Sequence, residues 1–471
     1  LHALGDVGAA ESRELVRARH TDAARNSAAR RRRAGAGVLE ALRRGCCHAA
    51  MVLRVDPSEP GAAPSSAARG VLTRVAEVKL ATIVAIAAVL RLAWLLFCPN
   101  EPISDQLVYH QAATAIASGR GFVEPNGAPH GWWPVGYSAA LAPFYWLFGE
   151  SPRVGHCANL LFGLAAVVAL HRLARALAGP SVAALAALAL ALYPTAIVMT
   201  TVHALENLYI PIVLAALAVL VERGSGPHSR WGAVLACSVL LGLGAYVRAP
   251  ALLMLAAVPL WLLITGLGWR RVLLPTLVSA AVALALLVPW GLRTQEHFGT
   301  FQLVSMNGKS NLWMGNHPGS DGGYHDLPAD VAGLSVPERE RELGARALAF
   351  IRAEPGQYLL RCLRRCVATL RSDTIAVIWS EPGLTARGAG ALVTPLKALT
   401  SGAYYAIAAL AAWSLLRRRR TLDRSDLLLA LVLAVLAFPF IAIVGGNRYH
   451  LPLSPFLILL AARAVFPAPA R

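Results

Sequence analysis

The chain has 471 residues, of which 56% are apolar and only 15% charged, and its mean hydropathy is +0.53. A soluble domain carries about 25% charged residues, whereas the apolar residues here lie in runs of about 17–25, the length that crosses a bilayer core; a soluble globular protein is excluded. The net charge of +18 sits in short basic turns and an Arg-rich leading segment, where it reads as a topology signal and not as a nucleic-acid surface.

The segment from Leu1 to about Ala50 is rich in Arg and Ala, with the run Arg30 to Arg33. It has no apolar h-region and is not a signal peptide. The first Met is Met51, so residues 1–77 are expected to be either a misplaced translation start or a disordered cytoplasmic tail, and no function is assigned to them. Apolar spans follow at 78–97, 154–171, 181–200, 205–221, 231–247, 250–267, 272–291, 402–416, 425–444 and 449–465. The expected fold is therefore an all-α polytopic membrane protein of about ten transmembrane helices. Two large polar loops, 98–153 and 292–401, interrupt the transmembrane domain 78–465, and 466–471 form a short tail. The seven Cys contain no CxxC pair and suggest no disulfide framework.

Placing the Arg-rich N-terminus in the cytoplasm also puts His171 to Arg175, Glu222 to Arg230, Trp269 to Arg271, Arg417 to Arg420 and Arg471 inside. That consistent parity obeys the positive-inside rule and sends both long loops to the extracytoplasmic side. Within the second loop, Glu338 to Ala353 reads as a helix ended by Pro355. Gln357 to Ser380 reads as an interfacial helix with its Arg residues at the headgroups, because Arg361, Arg364, Arg365 and Arg371 would each cost about 2.5–3.5 kcal/mol at the bilayer centre. The Gly-rich stretch Asn307 to Tyr324 reads as an exposed, adaptable loop able to touch substrate; it lacks a P-loop's lysine and spacing.

Ionisable residues near spans are functional candidates, and on this topology they collect on the outer side. Asp105 and Tyr109 open the first loop on one face of a helix expected over Ser104 to Ser118. Glu206 begins one span, Arg248 ends another, Arg293 follows a third, and Asn447, Arg448 and Tyr449 precede the last. Asp105 is either a helix cap or a general base taking a proton from a hydroxyl. Arg248, Arg293 and Arg448 either snorkel to the interface or bind phosphate oxygens with a planar fork of donors. Glu206 is a cavity residue or an Arg partner. His110 and His130 are weaker cavity candidates, and Trp132 with Trp133 read as an interfacial belt.

These residues resemble the glycosyltransferase C superfamily, which includes protein O-mannosyltransferases and lipid A aminoarabinose transferases. The resemblance runs from about Leu80 to Ala462. It rests on Ser104-Asp105-Gln106-Leu107-Val108-Tyr109, Trp133-Pro134-Val135-Gly136-Tyr137, Ala204-Leu205-Glu206, Val247-Arg248-Ala249-Pro250, Val288-Pro289-Trp290-Gly291-Leu292-Arg293, Met314-Gly315-Asn316-His317-Pro318 and Asn447-Arg448-Tyr449-His450-Leu451-Pro452, in that order. It implies an inverting hexosyl- or pentosyltransferase in the bacterial inner membrane. Such an enzyme takes sugar from a polyprenyl-phosphate carrier at the extracytoplasmic face and gives it to an envelope glycan, lipid or protein. Asp105 would then be the catalytic base, and Arg248, Arg448 and Arg293 would bind the donor phosphate. Some relatives have two adjacent acidic residues where this chain has Ser104-Asp105-Gln106, so no cofactor is expected. A divalent metal is the less favoured alternative, with Glu206 and His130 as its ligand candidates. A transporter or flippase of lipid-linked sugars is the competing reading. It would show internal repeats and midplane charges, neither of which the sequence displays.

Overall fold

A computed structural model describes residues 77–224 and 230–466. The Arg-rich leading segment, the turn 225–229 and the tail residues 467–471 lie outside the described residues. Those described are helical throughout, joined by turns and one isolated bridge between Val123 and Pro129. The first span, α1 (Leu80–Phe97), ends before Cys98-Pro99, and the first loop then folds into α2 (Asp105–Ala117) and α3 (Gly136–Phe148). α4 (Pro152–Ala178) starts with Ser151 capping Val154 N, has Pro at its first turn, and stops at Gly179 with φ +86°, where a residue bearing Cβ is disfavoured.

α5 (Pro180–Leu192) and α6 (Pro194–Val198) are one apolar run broken at Pro194, with a 55° bend. The carbonyls freed there are not left bare. Arg91 of α1, buried inside the bundle, donates to Leu190 O and Ala191 O at 3.4 and 3.2 Å, so a guanidinium meets the negative end of a helix dipole. Next come α7 (Glu206–Arg223), α8 (Arg230–Val247), a 3-10 helix Ala249–Ala256 running into α9 (Ala257–Ile264), and α10 (Trp269–Phe298). The second loop holds α11 (Gly308–Gly315), α12 (Val336–Ala353), α13 (Pro355–Leu370) and α14 (Ile375–Ala386); α15 (Val393–Arg418), α16 (Arg424–Ala442) and α17 (Ser454–Val465) complete the bundle.

Among the described residues, six helices are long and apolar enough to cross a membrane, and seven if the bent pair is a single span. Of the ten spans expected, three fall short of that standard for visible reasons. α7 carries Glu206, Glu222 and Arg223 within its 18 residues, and Ala249–Ile264 and Leu451–Val465 are short. Half of Ala249–Ile264 is wound as 3-10 helix, whose greater rise stretches the segment to about 28 Å, close to a bilayer core.

Of the basic turns expected in the cytoplasm, those at Arg172, Glu222 and Arg418 meet at one end of the bundle. Arg172 pairs with Glu222, Ser425 Oγ donates to Leu177 O at 3.0 Å, and Arg463 holds Asp423 and Asp426 at 2.6 and 2.9 Å. Glu206, at the other end of α7, lies about 24 Å from Glu222 along the helix axis.

Two loop expectations are corrected. Gln357 to Ser380 is not one helix but α13 and α14, separated by Arg371–Thr374, and the face that carries Arg361 and Arg365 turns inward. Arg365 donates to Gly315 O, Asn316 Oδ1 and Ile443 O at 3.1, 3.1 and 2.9 Å, and these acceptors replace the headgroups foreseen for it. Leu363 and Val367 point outward from the opposite face, at 67% and 64% exposure, as suits a helix lying at an interface. Nor is Asn307 to Tyr324 an exposed loop. Its first half is α11, whose first amides, Lys309 N and Ser310 N, donate to Glu340 of α12 at 2.9 and 3.1 Å. Trp313, Met314 and Asn316 are buried. The helix α12 itself matches the expected Glu338 to Ala353 closely, opened by a Ser335/Glu338 capping box.

Candidate functional site

Four breaks in helical structure bring the candidate residues to the end of the bundle opposite the basic turns. Asp105 opens α2 after Ser104, the one non-glycine residue with positive φ (+49°) among the described residues. Such a backbone costs about 1–3 kcal/mol and persists where surrounding structure enforces it. Glu206 starts α7 just past the bent span, Arg248 lies in extended conformation between α8 and the 3-10 helix, and Arg448 sits in the turn between α16 and α17.

The four charges form one chain. Arg448 Nη1 donates to Asp105 Oδ2 at 2.6 Å and its Nε to Glu206 Oε1 at 3.4 Å, while Arg248 Nη1 donates to the same Glu206 oxygen at 3.0 Å. Glu206 is 1% exposed, so it holds two guanidinium groups from beneath and leaves their remaining N–H donors free to face the cavity. Aromatic rings fix both cations. The Arg248 guanidinium lies 4.7 Å from the Phe440 ring centre, and Phe440 stacks on Tyr449 at 4.2 Å; Arg448 lies 5.1 Å from Trp379 and 5.6 Å from Tyr449. Burial works against the Arg448 charge, but Glu206, Tyr449 and Asp105 override it and hold this guanidinium well above its ordinary pKa. Burial, reinforced by the Asp105 charge, pushes the Tyr109 phenol up, so that it stays neutral.

Asp105, Tyr109, Arg248, Arg448 and Tyr449 line one cavity with about 220 Å³ open to water-sized molecules. Its wall is aromatic on one side, where Trp132 and Trp133 pack edge to face at 4.8 Å and Trp133 meets Tyr109 at 5.6 Å. The two tryptophans expected at the headgroups are thus cavity lining, and Trp132 Nε1 donates to Ser310 Oγ of α11 at 3.3 Å. Polar side chains from the second loop, Ser305, Asn307 and Asn311, face the same space. Asn307 and Asn311 belong to the Gly-rich stretch expected to touch substrate, whereas nothing in the sequence singles out Ser305.

The remaining candidates are elsewhere. Arg293 donates to His130 O and Phe122 O at 2.9 and 2.7 Å and lies 5.0 Å from the Trp290 ring, clamping the first loop onto α10. His130 is buried against Phe122, 4.8 Å between ring centres; burial and then Arg293 push its pKa down to about 4. His110, on the far face of α2 from the Asp105 cavity, contacts Tyr145 OH at 2.7 Å and lines a separate open pocket. Asn447 donates to Thr374 Oγ1 at 3.1 Å. No group of three His, Cys, Asp or Glu side chains with metal-holding geometry occurs among the described residues.

Residues 133–292 match the family model of dolichyl-phosphate-mannose-protein mannosyltransferases. The match spans Trp133, Glu206 and Arg248, while Asp105 and Arg448 lie outside it. The match covers part of the stretch whose motifs resemble the glycosyltransferase C superfamily. Among solved structures, an oligosaccharyltransferase of Archaeoglobus fulgidus in complex with Zn and sulfate is 14% identical over 81% of this chain and 48% of its own, with a TM-score of 0.49. The archaeal oligosaccharyltransferase AglB of that organism, in complex with an inhibitory peptide and a dolichol-phosphate, is 13% identical over 82% and 50%, at 0.48. ArnT of Cupriavidus metallidurans bound to undecaprenyl phosphate is 19% identical over 82% and 77%, at 0.44. The chain spans about half the length of the archaeal proteins it matches. No curated protein sequence matches it.

Proposed function

We propose that this chain is a membrane glycosyltransferase that moves a sugar from a polyprenyl-phosphate carrier to an envelope acceptor, a glycan, lipid or protein, at the extracytoplasmic face of the inner membrane. The observation that carries this reading is the charge chain Asp105–Arg448–Glu206–Arg248 on an aromatic-walled cavity. The likeness of residues 133–292 to dolichyl-phosphate-mannose-protein mannosyltransferases supports it, and the basic turns gathered at the opposite end support the sidedness.

The chemistry follows from the parts. An acceptor hydroxyl attacks the anomeric carbon while its proton passes to an Asp105 carboxylate oxygen. The bond between that carbon and the phosphate oxygen breaks on the opposite face, its electron pair leaves with the lipid phosphate, and the anomeric configuration inverts. Arg248 and Arg448 neutralise the charge that builds on the phosphate, the kind of preorganised donor that usually contributes most to catalysis. Glu206 keeps both guanidinium groups in place before the lipid arrives. The donor phosphate competes with Asp105 for Arg448, so donor binding frees the carboxylate to accept the proton. Tyr109, Trp133 and Tyr449 shape the walls, and no step requires a metal. Arg293 belongs to the scaffold of the first loop in this scheme.

The test is reconstitution in proteoliposomes with a polyprenyl-phosphate-linked sugar and envelope extract as acceptor. Sugar appearing on the acceptor with inverted linkage is expected. Donor crossing the bilayer with no sugar transferred would make the chain a transporter and refute the proposal.

A further inference from the structure

Arg448 stands on non-helical backbone, and a long side chain on a turn loses its position unless that turn is itself held. The turn is held from one side by residues that the chemistry above leaves unused. Asp373 and His450 are both 0% exposed, with Asp373 Oδ1 and His450 Nε2 3.2 Å apart. The other Asp373 oxygen accepts from Tyr193 OH and Thr195 Oγ1 at the break of the bent span. The next residue, Thr374, accepts from Asn447 Nδ2 at 3.1 Å, and Trp379 on the following helix lies under the Arg448 guanidinium at 5.1 Å. Tyr404 of α15 closes the other side of His450, 4.5 Å between rings. Residues on both sides of Arg448, Asn447 and His450, are therefore fastened to one two-residue segment that is itself fastened to the span break.

We propose that the buried Asp373–His450 pair is a positioning device that fixes the Arg448 turn and so sets the site's affinity for a lipid phosphate. Burying a carboxylate is costly unless it is engaged; here Oδ2 takes both hydroxyl donors, while Oδ1 makes no hydrogen bond and meets His450 Nε2 only as an ion-pair contact, so the carboxylate joins three segments far apart in sequence at the turn that bears a cavity cation. The inference rests on the function proposed above, in that it takes a lipid phosphate as the ligand of Arg448.

The experiment uses the full chain in nanodiscs, with undecaprenyl phosphate as the probe. Asp373→Asn keeps the side-chain shape and the buried volume while removing the charge. It should weaken undecaprenyl phosphate binding about tenfold and speed amide hydrogen exchange at residues 445–450. Arg448→Gln should weaken binding by itself, and Asp373→Asn should then add little to it, because the pair acts only through that arginine. Thr374→Ala, which frees Asn447 without touching a buried charge, should give the same pattern more weakly, and serves if Asp373→Asn does not fold. Losses that multiply in the Arg448→Gln background, or unchanged exchange at 445–450, would overturn the proposal. If the unaltered chain neither binds undecaprenyl phosphate nor transfers sugar, the functional reading fails by itself, and the exchange data still decide whether the pair holds the turn.

Discussion

Replacing Asp105 with Asn separates the two roles proposed for this carboxylate, because the substitution keeps its shape and removes its charge. As a general base Asp105 should contribute about 10²–10⁴ in rate, equivalent to about 3–5 kcal/mol of barrier. Binding should move the other way. The Asp105–Arg448 pair is 2.6 Å long with side chains 23% and 18% exposed, so after screening it stabilises Arg448 in its resting position by no more than about 1 kcal/mol. Removing that competitor frees Arg448 for phosphate, and affinity for undecaprenyl phosphate should stay level or rise by up to about fivefold. The assay pairs single-turnover sugar transfer with equilibrium binding of the lipid, on protein whose melting curve matches that of the unaltered chain. Transfer retained within about tenfold would remove Asp105 as the base. Lost lipid binding would show that the carboxylate is part of the phosphate site and not its rival.

Two further outcomes follow from burial. Glu206→Gln leaves Arg248 and Arg448 without the carboxylate that both share, so it should destabilise the protein by about 3–5 kcal/mol, read as a lowered melting temperature in detergent; adding Arg248→Met should recover part of the loss, and a melt unchanged by the single substitution would contradict the shared role. His130 titrates at about 4 in the folded protein, because burial and then Arg293 disfavour its charged form, against about 6.5 when unfolded. A depressed folded value means that its contribution is complete above about pH 6.5 and is lost as pH falls towards 4. Between about pH 7.5 and pH 5, His130→Gln should therefore flatten the decline in stability by about 2 kcal/mol, measured by paired melts; parallel pH profiles for the two proteins would refute this.

Much of this arrangement was legible in the sequence because the membrane simplifies the grammar. Span length and Arg parity separate two ends of a bundle before any contact is known, and Asp105, Glu206, Arg248 and Arg448 all fell at one of them. What could not be read was which arginines share a cavity. Arg293 stands at the correct depth, yet its guanidinium is consumed by the carbonyls of Phe122 and His130, a matter of local loop path that depth does not encode. The second loop misled for a related reason. Arg361 and Arg365 were judged by the cost of burying them in hydrocarbon, but the fold places protein carbonyls over that helix, and Gly315, where a Cβ would stand 2.0 Å from Ile443 O, is small enough to let them approach. Asp373 lies inside the same stretch, which the sequence reads as one interfacial helix, so nothing in the sequence singles it out.

The site's residues share a property that explains why they are there at all. Each stands where a helix starts, stops or changes winding: after the strained Ser104, past the Pro194 bend, between Val247 and Pro250, and in the turn from Gly445 to Leu453. Irregular backbone at membrane depth is tolerated only where protein or a water-filled cavity satisfies its polar groups, so four interrupted segments are far less costly gathered around one cavity than dispersed through the bilayer. The same cavity is where charges can be kept. Helix interruption and charge placement are therefore one design constraint. A substitution that restores continuous helix at any of the four breaks, Pro250→Ala being the least intrusive, should disturb the charge chain even though it touches none of its members.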